Sequence, residues 1–196
     1  MSDPETGIRV EPARPERWED VRAVLDGASD RGCWCQPWRG TDADGRRRGE
    51  SRPETLERLM RDEEVPPGLV AYLDDRPVGW VGVSVRGRTP RLDGSRTIPA
   101  IDGLPVWVIG CFRVAPGLRR RGVGRALLAG VVDAARVAGA PGVEAFPVDP
   151  GGRRMDVGSG FVGIASMFDV AGFRRVVETE AHSGRLPRIL VRLDLA

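Results

Sequence analysis

Residues 119–125 read RRRGVGR and run straight into an apolar stretch, ALLAGVV. Four guanidinium groups and two residues without side chains therefore meet at the start of a helix-like segment. The chemistry this suits is oxyanion binding. The first-turn N–H groups of a helix have no partner inside the helix, and the helix dipole adds partial positive charge there. Glycine at 122 and 124 lets an anion rest directly on those amides, and arginine adds fork-shaped donors around it. The pattern predicts a phosphate site, with pyrophosphate as its ligand. Two familiar nucleotide devices do not fit. A phosphate loop of the Gly-Lys-[Ser/Thr] kind needs a lysine, and the chain has none; all its basic residues are arginines. The same absence excludes Schiff-base chemistry. A dinucleotide fingerprint needs a third glycine where Leu127 stands, and it belongs near the first strand, not past mid-chain.

The elements that must position this stretch can be read from periodicity. Gly7 to Glu11 predicts a short strand. Pro15 to Leu25 predicts a helix with Trp18, Val21 and Leu25 on one face, closed by Gly27. Residues 31–50 are turn-rich and show no period. Ser51, Pro53 and Glu54 start a second helix with a capping box, and Leu56, Leu59 and Met60 form its buried stripe. Gly68 to Leu73 and Val78 to Val85 predict a hairpin across Asp74–Pro77. Residues 86–105 are a long Arg-, Gly- and Pro-bearing excursion of the kind that is functional or mobile. Val106 to Val114 is the most apolar strand and is expected to be central. An amphipathic helix follows from Gly122 to about Gly139, then a strand from Val143 to Val148. A helix over 161–171 stops at Gly172, and strands at Phe173 to Val177 and Ile189 to Leu195 close the chain.

The chain's 196 residues suit one domain spanning 1–196, and no internal repeat is visible. A net charge of +2 argues against a nucleic-acid or polyanion binder. The polar N-terminus MSDPETGIRV is not a secretory signal, and no uncharged apolar run approaches spanning length, so a soluble cytoplasmic protein with no membrane partner is expected. Three cysteines are an odd number, which predicts no disulfide framework.

Val114-x-Pro116 followed by Arg119-x-x-Gly122-x-Gly124-x-x-Leu127-Leu128 resembles the acetyl-CoA motif of the GNAT superfamily of N-acetyltransferases, and the order of elements matches. Ala165 to Phe173, ASMFDVAGF, resembles that family's late helix ending in Gly-Phe. The chain also resembles a subgroup pairing a Cys-Trp-Cys, here Cys33-Trp34-Cys35, with a Cys-Phe strand at Cys111-Phe112 and a Glu-x-aromatic-Pro strand at Glu144 to Pro147. The resemblance implies an α/β fold with a central, mostly antiparallel mixed sheet flanked by helices. It implies acetyl-CoA as cosubstrate, a splay between the central strand and the next, and a pantetheine arm lying in that gap. Phe112, Val114, Arg119, Arg120, Arg121, Gly122, Val123, Gly124 and Arg125 are the cofactor-binding residues it implies. A primary amine would attack the thioester directly, with no covalent enzyme intermediate.

The acid–base groups are less plain. Many family members carry a tyrosine where Phe168 stands here, and phenylalanine cannot donate a proton. The only tyrosine is Tyr72, in an early strand. Ser166 is the nearby hydroxyl. Glu144 has two readings: a partly buried general base beside the splay, or a carboxylate balancing an arginine. Cys111 is either a nucleophile near the arriving thioester or a small core residue. Cys33 and Cys35, with Trp34, are too far in sequence from other ligands to hold zinc, so no metal is expected. They read as an aromatic-rich loop that borders the acceptor pocket or anchors its own turn. His182 reads as a solvated loop residue. Arg86, Arg88, Arg91 and Arg96 either grip an anionic acceptor or form a solvated basic loop.

These readings converge on an N-acetyltransferase acting on an amine of a small molecule or peptide, without nucleic acid. A homodimer is compatible with the sequence. The rival readings are a catalytically weak acyl-CoA-binding or regulatory domain, motivated by Phe168, and a nucleic-acid binder using the arginine runs at 46–48 and 119–121.

Overall fold

A computed structural model describes residues 2–3, 7–25, 34, 49–153 and 159–195. Its strands are β1 (Ser2–Asp3), β2 (Ile8–Pro12), β3 (Gly68–Leu73), β4 (Arg76–Val85), β5 (Trp107–Val114), β6 (Gly142–Ala145), β7 (Arg174–Ser183) and β8 (Leu186–Asp194). Its helices are α1 (Trp18–Leu25), α2 (Arg52–Asp62), the single turn α3 (Pro90–Asp93), α4 (Val123–Val137) and α5 (Ala165–Val170). The strands form one sheet in the order β1-β2-β3-β4-β5-β6-β8-β7. Every neighbouring pair is antiparallel except β5 and β6. That one parallel pair requires a crossover, which α4 supplies. The mixed sheet flanked by helices is the fold class expected.

Local rules explain most of these elements. Ser51 accepts from the Glu54 amide while the Glu54 carboxylate accepts from the Ser51 amide, so the capping box at the start of α2 forms as read. Leu56 and Met60 are fully buried, whereas Leu59 is only half-buried. The β3–β4 turn uses Asp74 and Asp75 at φ 50° and 58°, the left-handed pair that matches strand twist in a two-residue hairpin. α4 buries Val123, Leu127, Leu128 and Val131 against one face of β2 to β5. Its Gly130 lies so close to β2 that a Cβ there would sit 2.6 Å from Val10 Cγ1, so this helix position must remain without a side chain.

The opposite face divides in two. Toward β3 and β4, α1 and α2 cover Val70, Tyr72, Trp80 and Cys111, and Trp34 is buried with them. Toward β6 and β8, residues 86–105 cover Val108, Phe146 and Leu190 with Leu92 and Ile98, both of them buried. The long excursion is therefore anchored through Arg86, Thr89, Leu92 and Ile98, while Arg88, Arg91 and Arg96 are exposed.

Several boundaries differ from the sequence reading, and β8 begins at Leu186, ahead of Ile189. β6 ends at Ala145, before Pro147, which has no N–H to give a ladder, and Val148 makes only isolated bridges. The late helix is a 3-10 turn at Ser159–Val162 followed by α5. β7 runs on to Ser183, so His182 lies on an exposed strand position with Nδ1 2.9 Å from the Glu180 carbonyl.

Candidate acyl-CoA site

The central strand opens where chemistry would need it to. β5 pairs with β6 only at Trp107↔Val143, Val108↔Glu144 and Ile109↔Ala145. Beyond Ala145 the chain stays with β8: the Ile189 amide donates to the Pro147 carbonyl and the Arg188 Nε donates to the Phe146 carbonyl. β5 meanwhile stays with β4 as far as Val114. A gap thus opens between β5 and the chain after β6. The register with β4 steps from Ile109 to Cys111, skipping Gly110, which is a bulge at the mouth of the gap. The skipped residue shifts alternation by one. Trp107, Ile109 and Phe112 pack on the α4 side, while Val108 and Cys111 pack on the other.

At the far end of β5 the chain turns through Gly117, Arg120 and Gly122, with φ 81°, 59° and 85°. Gly122 is the N-cap of α4 in the left-handed region, which glycine occupies without strain. The first amide bonded back into the helix is that of Ala126, to the Gly122 carbonyl at 2.9 Å, which leaves those of Val123, Gly124 and Arg125 for a ligand. Arg119, Arg120, Arg121 and Arg125 are exposed, and their side chains make no ion pair or hydrogen bond with any described residue. A 15-residue helix beginning on free amides amid four unengaged guanidiniums fits a pyrophosphate.

On the α4 side of the gap, Phe112 meets Phe168 edge-on at 6.1 Å and Phe168 meets Phe173 at 5.2 Å. Phe168 is fully buried. The aromatic at the family's usual tyrosine position is a packing residue, held by two rings. Ser166 is exposed on α5. Tyr72 is remote in role as well as in sequence: its hydroxyl donates to Asp20 at 2.7 Å, and burial pushes its pKa upward.

Glu144 is 1% exposed. Its Oε2 accepts from Arg86 at 2.6 Å and its Oε1 lies 3.5 Å from Arg192, which also reaches Asp102 at 2.5 Å. Arg192 Nε lies 2.7 Å from Asp194 Oδ1 yet without hydrogen-bond alignment, so this contact is an ion pair only. Of the two readings for Glu144, the geometry matches the carboxylate that balances arginines. Arg86 belongs to that cluster, and Arg88 pairs with Glu63. Arg188 is buried too, and desolvation lowers its pKa to about 10. Arg86 and Arg188 both lie 5.9 Å from the Phe146 ring. Sequence reasoning missed Arg188 and Arg192. Their one signal is that they stand on an otherwise apolar final strand.

Cys111 requires a correction. It is disulfide-bonded, so it carries no thiolate and cannot serve as a nucleophile in this state; this is a single bond and not a framework. Cys33 and Cys35 lie outside the described residues, as do the arginines at 46–48. Trp34 is buried, with its ring 6.2 Å from that of Trp18. No group of metal-ligating side chains occurs among the described residues, and no described helix is long and apolar enough to cross a membrane.

A sheet splayed beside a bulge, with an anion-ready helix at its end, defines an acyl-CoA-dependent transferase scaffold. A family model for the acetyltransferase (GNAT) family matches residues 32–155, and the chain belongs to that family. Solved structures share the fold at low identity. The protein yncA from Salmonella typhimurium, solved with acetyl-CoA, is 17% identical with TM-score 0.56, covering 97% of this chain and 95% of its own. The loading GNATL domain of CurA from Lyngbya majuscula is 15% identical with TM-score 0.56, covering 96% and 98%. N-acetylglutamate synthase from Neisseria gonorrhoeae, solved with coenzyme A and N-acetyl-glutamate, is 17% identical with TM-score 0.51, covering 96% of this chain and 35% of its own. No curated protein matched the sequence.

Proposed function

We propose that the protein transfers the acetyl group of acetyl-CoA to a primary amine of a small molecule or peptide. The observation that carries this is the conjunction of a β5 strand whose ladder with β6 ends at Ile109 and an α4 start whose arginines are unengaged. Pyrophosphate would rest on the amides of Val123 to Arg125, with Arg119, Arg120, Arg121 and Arg125 around it. The pantetheine amides would complete the ladder along Phe112 and Val114. The neighbours solved with acetyl-CoA and CoA support this choice of cosubstrate.

The transfer needs little from the chain beyond placement. The amine nitrogen attacks the thioester carbon, the C–N bond forms, the C–S bond breaks, and CoA leaves as a thiolate. The nitrogen sheds its proton, and the thiolate gains one. Phe168 has none to give. We assign that donation to Ser166, and we assign Glu144 a positioning role, holding Arg86 and through it the anchored part of residues 86–105. An acetyl-CoA assay against a panel of amines tests the reading. Turnover on at least one amine, reduced in Ser166→Ala and retained in Glu144→Gln, is the expected result. A second reading, an acyl-CoA-binding regulatory domain, is favoured by Phe168 alone; tight CoA binding with no turnover on any amine would select it.

A further inference from the structure

Arg113 on β5 stands apart from the other arginines. It is half-buried, and its side chain makes no hydrogen bond or ion pair with any described residue. Every other described arginine that is not exposed is engaged, whether by carboxylates, as Arg9, Arg58 and Arg86 are, or by backbone carbonyls, as Arg14 and Arg188 are. Withdrawing part of a guanidinium from water without a partner is a cost to folding, which a bound anion offsets.

The strand register fixes the face on which Arg113 lies. Phe112 and Val114 pack with the α4 core, so Arg113 between them belongs to the opposite face. It pairs across with Trp80, and the row continues through Val70 to Glu11. Val70 and Trp80 are buried, and Glu11 at the far end is held by Arg9 and Arg17. On the other side the row stops at Arg113, because the β5–β6 ladder ends at Ile109. Arg113 therefore stands at the rim of the gap. The α4 face of the gap is closely packed beside Phe112: a Cβ on Gly163 would lie 3.3 Å from Phe112 and 2.7 Å from Phe168.

We propose that Arg113 binds a carboxylate of the acceptor, so that the amine substrate is an aminocarboxylate. This rests on the acetyltransferase reading above. The fork of one guanidinium matches one carboxylate. A phosphate dianion would need a second cation, and Arg86, Arg188 and Arg192 on that face are already engaged. Arg113 lies three residues, about 10 Å, along β5 from the Gly110 bulge. With the pantetheine along Phe112 and Val114, the thioester lies toward the bulge. An arginine side chain reaches back over part of that span, so an amine and a carboxylate separated by several bonds fit it.

The test uses the whole protein and matched probes: glycine, β-alanine, γ-aminobutyrate and ε-aminocaproate, each beside its amide. Acetyl transfer is followed by CoA release, and binding of each probe to the CoA-loaded protein by calorimetry. At least one carboxylate should exceed its amide by about tenfold or more in kcat/KM and in affinity. Arg113→Gln should erase that discrimination through KM, with kcat kept, and Arg113→Lys should restore part of it. Thermal melts of both variants should match the wild type, because no partner is stranded. Carboxylates and amides treated alike by the wild type, or a preference that survives in Arg113→Gln, would overturn the proposal. A loss of CoA affinity in Arg113→Gln as large as the loss of carboxylate affinity would also overturn it, since the guanidinium would then serve the cosubstrate. Acetyl-CoA titration separates the two readings. Binding of acetyl-CoA with no carboxylate preferred would overturn the role of Arg113 alone, and no binding of acetyl-CoA would overturn the reading beneath it.

Discussion

Two groups of arginines lie at opposite sides of the same sheet and differ in one respect. At the start of α4, Arg119, Arg120, Arg121 and Arg125 are exposed and engage no described residue. Beneath β6 and β8, Arg86 and Arg192 are buried, and both reach Glu144. Charge that is already matched inside the fold is committed to structure, because removing a partner strands an ion in a dry interior. Charge left unmatched in water costs the fold almost nothing and stays available to a ligand. The comparison predicts that the two groups respond oppositely: the buried group should govern stability and the exposed group binding.

The sharpest way to break the comparison is Glu144→Ala. It removes the carboxylate that Arg86 and Arg192 share, leaving Arg86 with Asp93 at 3.8 Å and Arg192 with Asp102 and Asp194, and should destabilise by about 3 kcal/mol, measured by urea unfolding. Glu144→Gln keeps the volume and should lose less. A loss near zero for Glu144→Ala would mean that the cluster is not what holds residues 86–105 to β6.

Next in size is Gly122→Asp. It places a Cβ at φ 85° and a carboxylate at the expected anion site. Acetyl-CoA affinity should fall on the order of a hundredfold or more, equivalent to about 2.7 kcal/mol. Arg119→Ala should weaken binding by roughly tenfold while changing unfolding free energy by no more than about 0.5 kcal/mol. A binding loss matched by an equal stability loss would contradict the division between the two groups.

The smallest effect is expected at Arg175, which is half-exposed and pairs with Asp169 at 2.8 Å and Asp149 at 2.7 Å. Arg175→Ala should cost less than about 1 kcal/mol, because solvent screens the pair. Its pH dependence has a definite sign. The Arg175 guanidinium holds the Asp169 carboxyl below its ordinary value of 3.8. The contribution is therefore present above pH 3.8 and disappears as the pH falls through the lower folded value. Wild type and Arg175→Ala should converge in stability under strong acid and differ at neutral pH.

The exposed group was legible in the sequence and the buried one was not. The α4 start announces itself locally: a strand, a turn, glycines and an apolar period all lie within twenty or so residues, and each follows from backbone rules. The hairpin, the capping box and the central strand were legible for the same reason. The buried cluster depends on contacts between distant segments. Arg86 meets Glu144 across 58 positions, and Arg192 faces Glu144 through the β6–β8 register, which no local pattern encodes. β7 was read too short because it is an edge strand whose mainly polar, exposed residues give little apolar alternation. β6 was read too long because the apolar run continues through Phe146 and Val148 although Pro147 ends the ladder. The cystine at Cys111 was missed because an odd cysteine count speaks against a framework of pairs but says nothing about a single bond.

The central claim is that the α4 start holds the pyrophosphate of acetyl-CoA. Calorimetric titration of acetyl-CoA and of free CoA into wild type and Gly122→Asp, with thermal melts of both proteins alongside, tests it most directly. Binding of both ligands to the wild type, lost in a variant that still folds, is the predicted result. No binding to a folded wild type, or equal binding to both proteins, would contradict it.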